Sequence, residues 1–311
     1  MFESYPRFEY PMAAVQLSLA MLGMGTRLGL KDFRDIAKRP QGIFVALLLQ
    51  FAVVPAVALA LDRGLHLSDG IAVGLVLVAA MPSGSLSNIF SYLGRGQVAL
   101  AISITIVSTL GCLALTPLVV SAFAGLHLQD FRMPMGEIVA EIACYLLAPL
   151  AVGMAIGRFL PRSADQIGKW AIRASLFVVL LILVGSVGSG RLDLRAYGWL
   201  GPLAVLLLGV LSQLASVLLS RLLRFDAIAA FTIGTSVLLR NCNLAVMLKA
   251  SLFPADSPHD AEVGDGTLFA ALLYGGISLG IAGAAVARRR WSEARATNKP
   301  GATSGPAPGS S

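Results

Sequence analysis

VAAMPSGSLSNIF, residues 78–90, stands in the middle of an otherwise apolar run from Gly70 to Tyr92, and its reading decides the fold. Pro82 has no N–H and Gly84 no Cβ, and both sit beside Ser83, Ser85, Ser87 and Asn88, so a continuous helix cannot be kept there without cost. A second stretch of the same kind, IGTSVLLRNCNLAVM at residues 233–247, places Ser236, Arg240, Asn241 and Asn243 at a similar depth in its own apolar run. Unwound backbone inside a bilayer needs protein or water partners for every N–H and C=O, so such breaks survive where they line a cavity. One break alone is as well explained by a kinked helix whose Ser and Asn bind neighbouring helices. Two breaks in corresponding parts of two halves point instead to a transporter of inverted repeats with its site at the membrane midplane.

The rest of the chain agrees that the solvent is lipid. Of its 311 residues 56% are hydrophobic and 13% charged, and the mean hydropathy is +0.78. A soluble fold of this size must clothe itself in polar side chains, and too few are present. Apolar segments near the ~20 residues that cross ~30 Å of hydrocarbon run over Met12–Thr26, Gly42–Leu61, Gly70–Tyr92, Val98–Phe123, Ile138–Gly157, Ala171–Val187, Trp199–Leu219, Ala227–Ala250 and Thr267–Ala287. The expectation is an all-α integral membrane protein of about nine spans, one domain over residues 1–296. Residues 297–311, rich in Gly, Ser, Pro and Ala, can bury nothing and are expected to form a disordered cytoplasmic tail.

The formal charge of +7 is a topology signal. Assigned alternately to two sides, one set of connections holds Arg27, Lys31, Arg34, Lys38, Arg39, Arg95, Arg158, Arg162, Lys169, Arg221, Arg224, Arg288, Arg289, Arg290, Arg295 and Lys299. The other holds Arg7, Arg63, Arg132, Arg191 and Arg195, with Asp256, Asp260, Glu262 and Asp265 in its last member. The basic set is expected on the cytoplasmic side of an inner membrane, with the N-terminus outside and the C-terminus inside. The first segment follows Glu3 and Glu9 rather than a basic stretch and precedes no small-residue cleavage site, so it reads as a retained helix, not a signal peptide. Cys112, Cys144 and Cys242 all lie in apolar stretches, which argues against a disulfide framework.

MPSGSLSNIFSYLGRGQVALAISITIVSTLGCLALTPLVV (81–120) resembles the crossover helix and following helix of the bile acid:sodium symporter family. LGMGTRLGLKDFRDIAKRP (22–40) and LLLQFAVVPAVALAL (47–61) are similar to that family's Gly-Met-Gly segment and Gln-Phe-Pro helix, and RNCNLAVMLKASLF (240–253) to its second crossover. The resemblance implies ten helices in two inverted five-helix repeats, divided into panel and core domains with two crossing broken helices. This chain begins at the position of the second helix, in keeping with nine spans and an outward N-terminus. The implied activity is secondary-active symport of a small organic anion, a bile acid, carboxylate or sulfonate, across the bilayer. No enzyme activity, nucleic acid or protein partner is expected, and the coupling ion would be sodium or a proton.

What the resemblance implies for the site is incomplete here. One family sodium site is matched by Ser87, Asn88 and Thr105, but a second hydroxyl position is Ala101 and the glutamate position is Ser236. The other site is matched by Gln50 and by the carbonyls of Val237 and Leu239, but a glutamine position is Arg240. Sodium seeks oxygen ligands and negative charge, whereas a guanidinium is always charged and only donates. Sodium coupling is therefore expected to be weakened or lost, with Arg240 in roughly the place of one ion. Ser85, Asn88, Arg240 and Asn241 are the candidate substrate contacts, near half-helix N-termini that favour an anion. The bland alternative is that Arg240 only holds the broken helix together through backbone carbonyls.

Weaker signals remain. Gly276, Ser278 and Gly280 fit a G-x-S-x-G pattern, which among 32 glycines is better read, with Gly153 and Gly157, as helix packing. His66, His127 and His259 lie in separate connections without metal-ligand spacing, and no nucleotide fingerprint occurs. Lys249 is expected to snorkel from its helix end to the outer surface. Cys242 beside Asn241 leaves open a metalloid efflux carrier of the same superfamily, and a receptor that does not transport is the remaining alternative.

Overall fold

The computed structural model describes residues 5–29, 32, 34, 38, 40–124, 134–188, 197–253 and 258–297. The tail after residue 297, and the connections carrying His127, Arg132, Arg191, Arg195 and Asp256, lie outside the described residues. Those described form helices: α1 (Tyr5–Gly25), α2 (Pro40–Leu48), α3 (Val54–Leu65), α4 (Asp69–Ala79), α5 (Leu86–Leu93), α6 (Val98–Ala124), α7 (Met135–Glu141), α8 (Ala148–Phe159), α9 (Pro161–Gly188), α10 (Leu200–Leu222), α11 (Ala227–Leu238), α12 (Cys242–Leu252) and α13 (Pro258–Thr297). Wider π-helical turns, Leu49–Val53 and Ile142–Leu147, join α2 to α3 and α7 to α8 without ending the rod.

Six continuous rods among the described residues are long and apolar enough to cross a membrane: Pro40–Leu65, Val98–Ala122, Met135–Phe159, Pro161–Gly188, Leu200–Leu222 and Asp260–Ser292. Their outward faces are greasy, with Phe44, Leu118, Phe177, Leu180, Leu214 and Leu218 all exposed, as expected where lipid is the surrounding medium. The third and eighth apolar runs are not rods. Each is two short helices, α4 with α5 and α11 with α12, interrupted between Ala79 and Leu86 and between Leu238 and Cys242. Helices α1, α9 and α13 start at Tyr5, Pro161 and Pro258, earlier than the apolar periodicity suggests, because polar first turns can lie outside the hydrocarbon.

Two groups of close contacts organise the packing. Helix α1 lies against α8 and α9, and at Gly25 and Gly153 the two backbones touch, so that a Cβ on Gly153 would stand 2.9 Å from the Gly25 Cα and 3.0 Å from the Thr26 nitrogen. Helix α4 lies in the same way against α13, where a Cβ on Gly70 would meet the Gly266 Cα at 3.0 Å. Gly153 and Gly157 therefore do pack helices closely, but Gly276 and Gly280 do not: a Cβ at either meets nothing within 4 Å. Around α4 and α11, helices α3, α6, α10 and α13 bury these two half-helices almost completely.

Backbone atoms at the α1–α8 crossing cannot swing aside as a side chain can. Gly153→Val should lower the thermal midpoint in detergent by the equivalent of about 1–3 kcal/mol of overpacking, and Gly280→Ala should leave it unchanged. Equal midpoints for the two variants would refute the backbone contact.

Candidate functional site at the crossing of two interrupted helices

The interruptions meet each other. Ser83 and Arg240 form an isolated antiparallel bridge, in which Gly84 N–H donates to Leu239 C=O at 2.7 Å and Asn241 N–H donates to Pro82 C=O at 2.8 Å. Each break thus supplies the other with the backbone partners that a bilayer withholds. Gly84 is required by this approach, since a Cβ there would lie 2.9 Å from the Arg240 carbonyl oxygen. The proline removes an N–H that would otherwise go unpaired and pushes Met81 away from helical geometry.

A half-helix that ends in mid-membrane leaves carbonyls unpaired at its C-terminus, where the dipole is negative. At the end of α4, Thr116 Oγ1 donates to Ala80 C=O at 2.7 Å and Gln50 Nε2 donates to Met81 C=O at 3.1 Å. Arg240 does most. Its Nη1 donates to Met81 C=O at 3.0 Å, to Gln50 C=O at 3.2 Å and to Ala79 C=O. Three carbonyls around one positive nitrogen resemble the coordination of a small cation, with the charge tethered to the chain. The side chain is only 5% exposed. Nε and Nη2 have no hydrogen-bond partner, and neither do Gln50 Oε1 and Ser236 Oγ, all of them buried. At the end of α11, Tyr274 Oη donates to Leu238 C=O at 2.8 Å beside the guanidinium.

The positions expected to hold a cation separate into two places. Ser87 Oγ lies 3.4 Å from Thr105 Oγ1 and 3.1 Å from Ser83 Oγ, and Thr105 Oγ1 lies within 3.2 Å of Asn88 Oδ1. Thr105 Oγ1 is also 2.9 Å from Ala101 C=O, and its single proton serves one of these acceptors at a time. Gln50 lies against Arg240 and Met81, Leu239 takes part in the crossing, and Ser236 and Val237 are buried in the last turn of α11. The Leu239 carbonyl is taken by Gly84 N–H, so as placed it faces backbone rather than an ion.

The expected anion contacts are less uniform. Asn241 caps α12, its Oδ1 accepting from Leu244 N–H at 3.3 Å, and is 5% exposed. Ser85 and Asn88 are half-buried at the start of α5. Sequence reasoning passed over Thr116, Ser108 and Tyr274, which bond the breaks from intact helices; Ser108 Oγ accepts from Ser83 N–H at 3.2 Å. A hydroxyl deep in an apolar run was the available signal for each.

Lys249 requires a correction. It does not reach the surface: it is 0% exposed, and its Nζ lies 2.7 Å from Glu9 Oε1 of α1, itself buried. Its stem lies against Gly264 of α13, where a Cβ would stand 2.9 Å from the Lys249 Cε, and the ammonium pairs with the carboxylate instead of reaching outward.

The profile of the Sodium Bile acid symporter family matches residues 14–191, more than half of the chain. The chain belongs to that family, whose named members are transporters, not enzymes. It is 29% identical over 237 residues to the uncharacterized sodium-dependent transporter YocS of Bacillus subtilis (strain 168), covering 76% of this chain and 73% of that one. It is also 29% identical over 239 residues to the probable chloroplastic sodium/metabolite cotransporter BASS1 of Arabidopsis thaliana, covering 77% and 59%. Human sodium/bile acid cotransporter 4 is 33% identical over 177 residues, 55% of this chain and 40% of the relative. The chain thus spans little more than half of the plant relative, and less than half of the human one.

Removing the guanidinium would leave the carbonyls of Ala79 and Gln50 without a side-chain donor. Arg240→Met should therefore cost about 1–3 kcal/mol for each buried group left unsatisfied, read as a lower thermal midpoint in detergent, and Arg240→Lys should recover part of it. A fully stable Arg240→Met protein would remove the capping role.

Proposed function

We propose that the protein is a secondary-active transporter of a small organic anion, working by alternating access between a panel formed by α1, α7, α8 and α9 and a core that contains the crossing, with weakened or lost sodium coupling. The observation that carries this reading is the Arg240 guanidinium, held in a cage of backbone carbonyls at the end of a half-helix. A cation is favoured there by the helix dipole, and a resident one needs no partner ion from solution. Its Nε and Nη2, buried beside the Tyr274 hydroxyl, are charged donors suited to a carboxylate or sulfonate, and the helix dipoles at the starts of α5 and α12 favour an anion as well.

In our reading the basic connections share one end of the molecule; in support, Arg27 is 4.0 Å from Asp165 at the start of α9, Arg290 Nε donates to Leu93 C=O at 2.7 Å and Arg289 Nη1 donates to Ala227 C=O at 2.9 Å. That end is the cytoplasmic one in our reading, the N-terminus being outside and the membrane an inner, plasma membrane. Nine spans related by an inverted repeat belong to the same reading, as does the proposal that the coupling ion, where one is used, is sodium or a proton.

A second reading retains sodium at the other place. Ser83, Ser87, Asn88 and Thr105 keep a cluster of oxygens there, and the relatives' names include sodium dependence. Uptake of a panel of carboxylates and sulfonates into proteoliposomes, with sodium replaced by choline, separates the two. We expect uptake to keep more than half its rate; uptake that vanishes without sodium would sink weakened coupling and favour the second reading. Restoring the family's own residues in Ser236→Glu/Arg240→Gln should introduce a sodium-dependent rise in thermal midpoint that the parent lacks.

A further inference from the structure

A buried polar seam joins α1 and α7 to α12. The Glu9–Lys249 pair bridges α1 and α12 at 2.7 Å, with side chains 4% and 0% exposed. Beside it, Glu141 at the end of α7 accepts from Ser251 Oγ of α12 at 2.7 Å and from Tyr10 Oη of α1 at 2.9 Å, both on Oε1, while its Oε2 is buried without a partner. Tyr10 and Tyr145 pack edge to face behind it. These charges lie at the end of the molecule away from the basic connections, two turns of α12 from the crossing.

The two interfaces of α1 differ in kind. Towards α8 and α9 it makes backbone contact at glycines: a Cβ on Gly23 would meet the Gly168 carbonyl at 3.0 Å, and one on Gly157 the Thr26 carbonyl at 2.8 Å. Such a fit is lost by any displacement, so these three helices are keyed together. Towards α12 the mouth of the seam is closed by paired charges. An apolar seam that opened to water would expose grease, whereas an ion pair regains in hydration much of what it loses in attraction, so its closed and open states differ little in energy. Helix α12 carries Lys249 at one end and begins at the crossing, so a movement at the seam is transmitted to Arg240 and Asn241.

We propose that Glu9–Lys249, together with Glu141, Tyr10 and Ser251, forms a latch that shuts the path to the crossing from the Glu9 end and opens once in each transport cycle. The role in a cycle rests on the transporter reading; the shutting of a path does not.

The test uses the full chain in membranes, with Cys112, Cys144 and Cys242 changed to Ser and Ala245→Cys placed one turn from Lys249 towards the crossing. Labelling by a membrane-impermeant maleimide from the Glu9 side should be slow in this parent. It should become about tenfold faster in Glu9→Gln/Lys249→Gln, as a shift of population towards the open state requires, and stay slow in the exchanged pair Glu9→Lys/Lys249→Glu. In Glu9→Cys/Lys249→Cys, a bifunctional thiol reagent with a reductant-cleavable link should stop anion flux until reductant is added. Equal labelling of all three proteins, or full flux through the cross-linked one, would overturn the latch. If labelling follows the pair while no variant carries any anion, the latch stands and the transporter reading falls.

Discussion

Hydrocarbon offers no hydrogen bonds, and this one constraint organises the structure. Every helix that runs unbroken across the membrane satisfies itself, but α4–α5 and α11–α12 stop midway, and their loose ends must be met by protein. The bridge between Ser83 and Arg240 does so for the amide groups of the crossing. Arg240, Thr116, Gln50 and Tyr274 do so for the carbonyls at the two half-helix ends. Irregular backbone is thereby confined to a place where intact helices surround it.

Charge follows from the same constraint. A positive group at the C-terminal end of α4 is electrostatically welcome, and a guanidinium from the partner break lies there. Covalent attachment makes the charge permanent and spends one nitrogen on three carbonyls, leaving the other two nitrogens of the guanidinium beside the Tyr274 hydroxyl. This placement links the shape of the crossing to its electrostatics, because the residue that forms the bridge also supplies the charge.

Both interruptions were legible in the sequence, since Pro82, Gly84 and the polar run around them cannot be an ordinary span, and RNCN cannot either. That Arg240 matters was legible too, because an ionisable residue in mid-membrane has to pair or act. Lys249 was misread for want of its partner: Glu9 lies 240 positions away, and before the fold is known a lysine near a helix end has water as its simplest recourse. Glu141 and Ser251 were hidden for the same reason. Gly276 and Gly280 look like packing glycines by spacing, but only the neighbouring helix decides whether a missing Cβ is used.

By itself the sequence determined that this is a chain of lipid-facing helices, which two of them are broken, and that one guanidinium lies at the breaks; composition and local backbone chemistry suffice for each. Only the tertiary structure decided that the two breaks are hydrogen-bonded to each other, that Arg240 turns one nitrogen to three carbonyls, and that Lys249 meets Glu9. Those are pairings between residues far apart in the chain, and no local propensity encodes which of several buried polar groups will find which.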